Sequence, residues 1–307
     1  MNPIIVFQQM LVLFAMILVG YFCYKKELIT DQIQPKLSFL VVNLFNPFLV
    51  ISSITDKSVD KSMKLVMENI FLVVVLFGVW ILTGPLLVRL LRISREKRPL
   101  YSLMHIFSNL GFMGLPLVSG IYGKGAVIYV SFYMLMYNVL FYTYGIYIAG
   151  KYSPQEGARF EWKKLINPGF LFSLLAILIF FLQIHIPEAF GTFISYMGNT
   201  AVPLSMILIG VFMAKIDLKT IFTNIKIYIF SLLKLLIIPI ILILLLKRLP
   251  FDKTILGVFV LMSGMPVGSL VILLADEYGI GSEEGVQGIM LTTILSLITL
   301  PIVSLFF

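Results

Sequence analysis

Charge is what this chain has least of. Asp, Glu, Lys and Arg make up 12% of its 307 residues, about half the share of an ordinary soluble domain. A soluble molecule of this size needs more polar surface than that, so composition alone argues against a cytosolic globular enzyme. Cysteine is nearly absent as well. Cys23 stands alone, which excludes a disulfide scaffold. Only two histidines occur, and there is no Walker motif, metal-ligand cluster or low-complexity tract. No cofactor is expected, and an ATP-driven pump would need its motor on a partner chain.

What is abundant is apolar. Sixty per cent of the residues are hydrophobic, and the mean hydropathy is +1.03. The apolar runs are long and continuous, with no alternation of period two. They read as helices of a polytopic membrane protein rather than strands of an outer-membrane barrel. The lipid bilayer is therefore the first partner. The net charge of +8 does not point to nucleic acid, because the Lys and Arg sit in short loops between apolar runs, where topology explains them.

Ten candidate spans follow: 3–24, 37–55, 70–91, 99–122, 126–149, 168–186, 189–214, 227–246, 254–276 and 285–307. The first lacks a basic leader and has its basic residues after it, so it reads as a retained helix rather than a signal peptide. Loops after odd-numbered spans carry 15 Lys and Arg, and those after even-numbered spans carry 7. The richer set belongs in the cytoplasm, which places both termini outside the plasma membrane. The longest loop, 151–167, reads as a linker between a first half, 1–150, and a second half, 168–307. The oligomeric state is left open, with a homodimer as one option.

The two halves share punctuation. Asn43 and Asn46-Pro47 in span 2 match Asn199 and Pro203 in span 7, with a Pro-to-Pro offset of 156. Pro85 matches Pro239 at 154, and Gly114-Leu-Pro116 matches Gly264-Met-Pro266 at 150. Three matches in order suggest a duplication. With five spans per copy, the second copy must be inverted, a hallmark of secondary transporters. Spans 4 and 9 are also the least uniform. Ser108-Asn109-Leu-Gly111 runs on to Gly114 and Pro116, and Ser263-Gly264-Met265-Pro266 runs on to Gly268-Ser269. Proline removes a backbone donor and glycine tolerates unwound chain, so both spans are expected to be broken helices. Their inner N-termini would offer positive dipole ends to an anion.

Polar groups inside the spans are few. No acidic residue lies mid-span, which argues against a carboxylate-based proton or sodium antiporter. Lys234 lies near the middle of span 8, too deep to snorkel. It is either a brace on the carbonyls of broken helix 9 or a fixed positive charge that biases the cavity towards anions. His105, one turn before Asn109, is either a packed core residue or a titrating coupler. Asn43, Asn46, Asn109, Asn138 and Asn199 can donate to a carboxylate without a charge penalty, and Asn109 sits at the break. Tyr137 is a candidate to line the cavity beside Tyr133.

Taken in order, the spans, Asn46-Pro47, the Asn109–Pro116 segment, the Ala201–Gly210 segment, Met265-Pro266 with Ala275 and Tyr278-Gly279, and Thr292-Thr293 through Pro301 resemble the auxin efflux carrier (PIN-like) family. The likeness is to its compact prokaryotic members and covers essentially the whole chain. It implies an all-α fold of ten helices, NhaA-like or bile-acid-transporter-like, in two inverted five-helix repeats with broken helices 4 and 9 crossing. It implies elevator-like alternating access, with spans 1, 2, 6 and 7 as one body. It also implies transport of a small organic anion, such as malate, malonate or an indole carboxylate. Lys234 would stand where related folds hold a cation. Rival readings are an uncoupled, potential-driven anion facilitator, and a membrane sensor or sterol-binding receptor. An intramembrane enzyme would need paired carboxylates, a metal cluster or a convincing Ser/His pair, none of which is evident.

Overall fold

The computed structural model describes residues 2–55, 62–151, 166, 168–184, 186–215 and 224–307. Among them there are helices and no strands. Seven helices are long and apolar enough to cross a membrane: α1 (Pro3–Lys25), α2 (Ile33–Ser53), α3 (Met63–Leu90), α6 (Lys124–Lys151), α8 (Glu188–Ala214), α9 (Ile225–Leu246) and α12 (Glu283–Ser304). Shorter apolar helices are α5 (Leu110–Tyr122), α7 (Phe170–Leu182) and α10 (Lys253–Ser263). Two further segments, α4 (Arg98–Ile106) and α11 (Leu270–Tyr278), precede α5 and follow α10. The linker expected at 151–167 lies almost wholly outside the described residues.

The helix starts are written locally. The Asn2 side chain accepts from Ile4 N at 2.9 Å, with Pro3 in the first turn of α1. Asp252 accepts from Thr254 N and Ile255 N to cap α10. Polar side chains inside the helices turn back on carbonyls three or four residues earlier, as Asn43 does on Phe39 O and Ser231 on Ile227 O. In hydrocarbon that is the nearest available acceptor.

Three prolines leave a mark that composition does not show. A π-helical turn stands before each of Pro47, Pro116 and Pro239: Val41–Phe45, Leu110–Gly114 and Leu233–Ile237. A proline ring clashes with the carbonyl four residues earlier. Those carbonyls belong to Asn43, Phe112 and Leu235, each inside its π turn. Widening the helix there accommodates the ring.

Helices α1, α2, α7 and α8 pack on one another. The closest approach is between α1 and α8. A Cβ on Gly20 would fall 2.0 Å from Ile207 O, and one on Gly210 would fall 1.9 Å from Ile17 O. The two backbones therefore touch, which is how small residues join membrane helices. Helices α3, α4, α9, α10 and α12 form a second set of neighbours. Outward faces are apolar: Leu82, Leu86 and Leu90 of α3 are 73%, 61% and 70% exposed. That suits a lipid environment.

Candidate functional site

Both expected breaks are present, and they meet. Helix α4 ends at Ile106 and α5 begins at Leu110. Helix α10 ends at Ser263 and α11 begins at Leu270. The two unwound stretches lie antiparallel, with Ser108 opposite Val267. Asn109 N donates to Pro266 O at 2.8 Å, and Gly268 N donates to Phe107 O at 2.9 Å. Val267 N donates to Thr292 Oγ1 at 3.1 Å, and that hydroxyl donates to Gly288 O at 2.7 Å. Backbone groups freed by breaking two helices thus satisfy each other, as a membrane interior requires. Gly268 makes the approach possible. A Cβ there would lie 3.0 Å from Ser108 O and 3.1 Å from Phe107 O.

Beside the crossing is a cavity of about 180 Å³. The first turns of both inner half-helices line it, through Leu110, Gly111 and Phe112 on one side and Gly268, Ser269 and Leu270 on the other. Asn43 and Asn46 face it from α2, and Met134, Tyr137, Asn138 and Tyr142 from α6. Asn46 is 5% exposed, and its Oδ1 has no hydrogen-bond partner. Asn109 also lines the cavity. Its Oδ1 accepts from Phe112 N at 3.2 Å, so it caps α5, and its Nδ2 has no acceptor among the described residues. Tyr137 stacks on Phe141 with centroids 5.7 Å apart, and Phe107 stands edge-on to both rings. Among the described residues, no charged residue lines the cavity. Its polar character comes from amides, hydroxyls and two helix N-termini, each of which can donate to a negative group.

Lys234 is fully buried. Its Nζ donates to His105 O and to Ser108 Oγ, both at 2.8 Å, and lies 4.9 Å from the centroid of the Trp80 ring. The brace expected on helix 9 is therefore a brace on helix 4: the acceptor is a carbonyl at the C-terminal end of α4. A cation at that negative dipole end is favourable, and the indole face adds a cation–π contact. His105 lies against α3, apart from the cavity. Thr83 Oγ1 donates its single proton to Val79 O, so at 2.8 Å His105 Nε2 donates to that hydroxyl. Its Nδ1 is buried without a partner.

Two comparisons bear on what this arrangement does. The sequence model of a family described as "membrane transport protein" matches residues 5–304. An uncharacterized transporter of Methanothermobacter thermautotrophicus is 25% identical over 302 residues, 96% of each chain. The chain belongs to the auxin efflux carrier family. As a member of that transporter family it is a multi-pass membrane protein that carries a solute.

In this auxin efflux carrier family member the sequence-derived candidates separate. Asn43, Asn46, Asn109, Gly111 and Tyr137 come together around the cavity. Pro266 accepts from Asn109 at the crossing, and Met265 is buried there. Ser263 turns back on Val260 O, and Gly264 lies against Leu300. Gly114 and Pro116 sit past the break, inside the helix that follows it. The matched residues thus take different local conformations: Gly114 and Pro116 lie in helix, whereas Gly264 and Pro266 follow the end of α10 in the unwound stretch. Asn199 is exposed on α8, away from the cavity. Ser269, Phe112 and Tyr142 line the cavity and were not singled out. Ser269 had a signal, since it ends the Gly/Pro-rich stretch whose far side opens a new helix.

Proposed function

We propose that this transporter moves small organic anions, carboxylates such as malate, malonate or an indole carboxylate, and binds them in the cavity beside the crossing. The observation that carries the reading is the convergence of two half-helix N-termini and the Asn46 and Asn109 amides on one cavity with no acidic residue among its described lining. A carboxylate there meets donors from both broken helices at once. Alternating access would move the α4/α5 and α10/α11 crossing against the body made by α1, α2, α7 and α8. The reading includes a ten-span, five-plus-five inverted architecture with both termini outside the plasma membrane. The two repeats are 1–150 and 168–307, and the assembly allowed is a monomer or a homodimer.

Lys234 favours a second reading of the energetics. Its Nζ stands at a broken-helix C-terminus, the kind of carbonyl end that coordinates a coupling cation in secondary transporters. A resident ammonium there is compatible with uncoupled, potential-driven movement of the anion. One experiment tests both readings. Purified protein in proteoliposomes is given a panel of labelled mono- and dicarboxylates under imposed potential, proton or sodium gradients. Uptake of a carboxylate that Asn109→Ala weakens about tenfold is expected. Response to potential alone would select the uncoupled form. Absence of any carboxylate uptake, with another solute class transported, would refute the anion reading.

A further inference from the structure

Ser108 stands in the unwound stretch between α4 and α5, opposite Val267. It lines the crossing cavity and is 1% exposed. Its Oγ lies 2.8 Å from Lys234 Nζ. An ammonium carries three donors and no acceptor, so in this contact the serine oxygen can only accept. Its own proton must then go elsewhere, and no acceptor for it stands among the described residues. The main chain around it is already engaged. Ser108 O accepts from Leu110 N, and the neighbouring Phe107 O and Asn109 N bond across the crossing. The hydroxyl proton is the donor that this arrangement leaves over.

Lys234 itself does not line the cavity. It is fully buried, with Nζ also donating to His105 O and set 4.9 Å from the Trp80 ring centroid. A hydroxyl whose oxygen accepts from an ammonium is polarised. Electron density is drawn towards the cation, and the remaining O–H becomes a stronger donor. The positive charge can thus be felt in the cavity through one hydroxyl, while the ammonium keeps its buried contacts. A carboxylate oxygen gains more from such a donor than a neutral carbonyl does, because the charge behind the hydroxyl acts on a full negative charge.

We propose that the Ser108 hydroxyl binds the carboxylate of the cargo directly, and that Lys234 is a positioning residue that orients and polarises this hydroxyl from outside the cavity. The proposal rests on the reading of the cavity as a carboxylate site. It adds a ligand to the Asn46 and Asn109 amides, and it gives Lys234 a part in selecting a charged cargo over a neutral one.

The test is equilibrium binding to the purified full chain in detergent. The probes are malonate and indole-3-acetate, each beside its neutral amide, malonamide and indole-3-acetamide. The wild type is expected to prefer a carboxylate to its amide. Ser108→Ala should cut that preference about tenfold, and Ser108→Thr, which keeps a hydroxyl, should restore most of it. Lys234→Met should cut it about as far in the wild type and little further in Ser108→Ala, because the two side chains act along one path. If Lys234→Met does not fold, Lys234→Gln, which removes the charge and keeps a donor, takes its place. A merely structural role would weaken carboxylate and amide alike. Such equal weakening in Ser108→Ala, or an unchanged preference, would overturn the hydroxyl as a ligand. A full further loss on adding the Lys234 change to Ser108→Ala would overturn the relay. A wild type that binds neither carboxylate would overturn the carboxylate reading itself, and that failure shows before any variant is made.

Discussion

Replacing Lys234 by methionine separates a structural charge from a dispensable one. Methionine keeps an unbranched chain of similar reach but has no donor. Two acceptors, His105 O and Ser108 Oγ, lose the Nζ that now lies 2.8 Å from each, and the Trp80 face loses its cation. Hydrogen bonds to a charged group are worth ~1.5–3 kcal/mol each, and a desolvated cation–π contact adds about 2 kcal/mol. Against this, a lysine at the bilayer centre costs at least ~2.5 kcal/mol, and that cost disappears. The net expectation is a destabilisation of about 2–5 kcal/mol. For a chain of this size that is a fall in melting temperature of roughly 5 °C or more. Lys234→Gln, which retains a donor, should lose less. Ser108→Ala combined with Lys234→Met should cost less than the two changes added, because they remove one shared interaction. Melting followed by indole fluorescence reads this directly, since Trp80 lies under Nζ. Proteoliposome uptake is measured beside it. Normal uptake by surviving Lys234→Gln protein would leave the brace as the residue's only role. Unchanged melting and unchanged uptake in Lys234→Met would refute the reasoning, because they would mean the buried carbonyl end needs no partner.

Three further outcomes follow from the packing and the charge pattern. Gly268→Ala should cost ~1–3 kcal/mol and impair uptake, because its Cβ must push backbone oxygens at the crossing; melting and transport assays check both. Gly210→Ala should destabilise at least as much by wedging α8 off α1, where a Cβ would fall 1.9 Å from Ile17 O; a normal melting curve would mean those helices slide apart freely. In a Cys23→Ser background, Arg95→Cys should be protected from a membrane-impermeant thiol reagent in sealed cells and Lys124→Cys should label, and the reverse pattern would invert every loop assignment.

Among the described residues, seven long spanning helices were legible because hydrocarbon imposes one requirement on every backbone group, and long apolar runs answer it. The breaks were legible for the same reason in reverse: Gly and Pro clustered at 108–116 and 263–269 can only be tolerated where freed groups find partners. What the pattern did not carry was register. Pro116 was read as part of the break, yet a π turn absorbs its ring and lets helix resume ahead of it. Spacing along a chain cannot report that widening. Asn199 matched Asn43 in its distance to a proline, but distance to a proline does not fix which face of a helix a residue takes, and Asn199 faces outward. Lys234 was recognised by its depth. Its partner was assigned to the wrong broken helix, because nothing in the sequence says which of two equally needy carbonyl ends lies nearer. Tyr142 was missed because it touches the cavity only through tertiary packing, whereas Ser269 was passed over although it ends the Gly/Pro-rich stretch.

The crossing is held by main-chain groups: the amides of Asn109 and Gly268 and the carbonyls of Pro266 and Phe107. Most point substitutions exchange side chains and leave these groups in place; Gly268, where a Cβ would press on the facing carbonyls, is an exception. The main-chain part of the crossing is therefore less exposed to genetic drift than the side chains of Val42, Met134 and Tyr142 around the cavity. On the proposed function, a lineage could retune the size and shape of its cargo one lining residue at a time without rebuilding the crossing. Such a scaffold lends itself to diversification, and engineering new cargo selectivity should begin at the rim on α2 and α6 rather than at the broken helices.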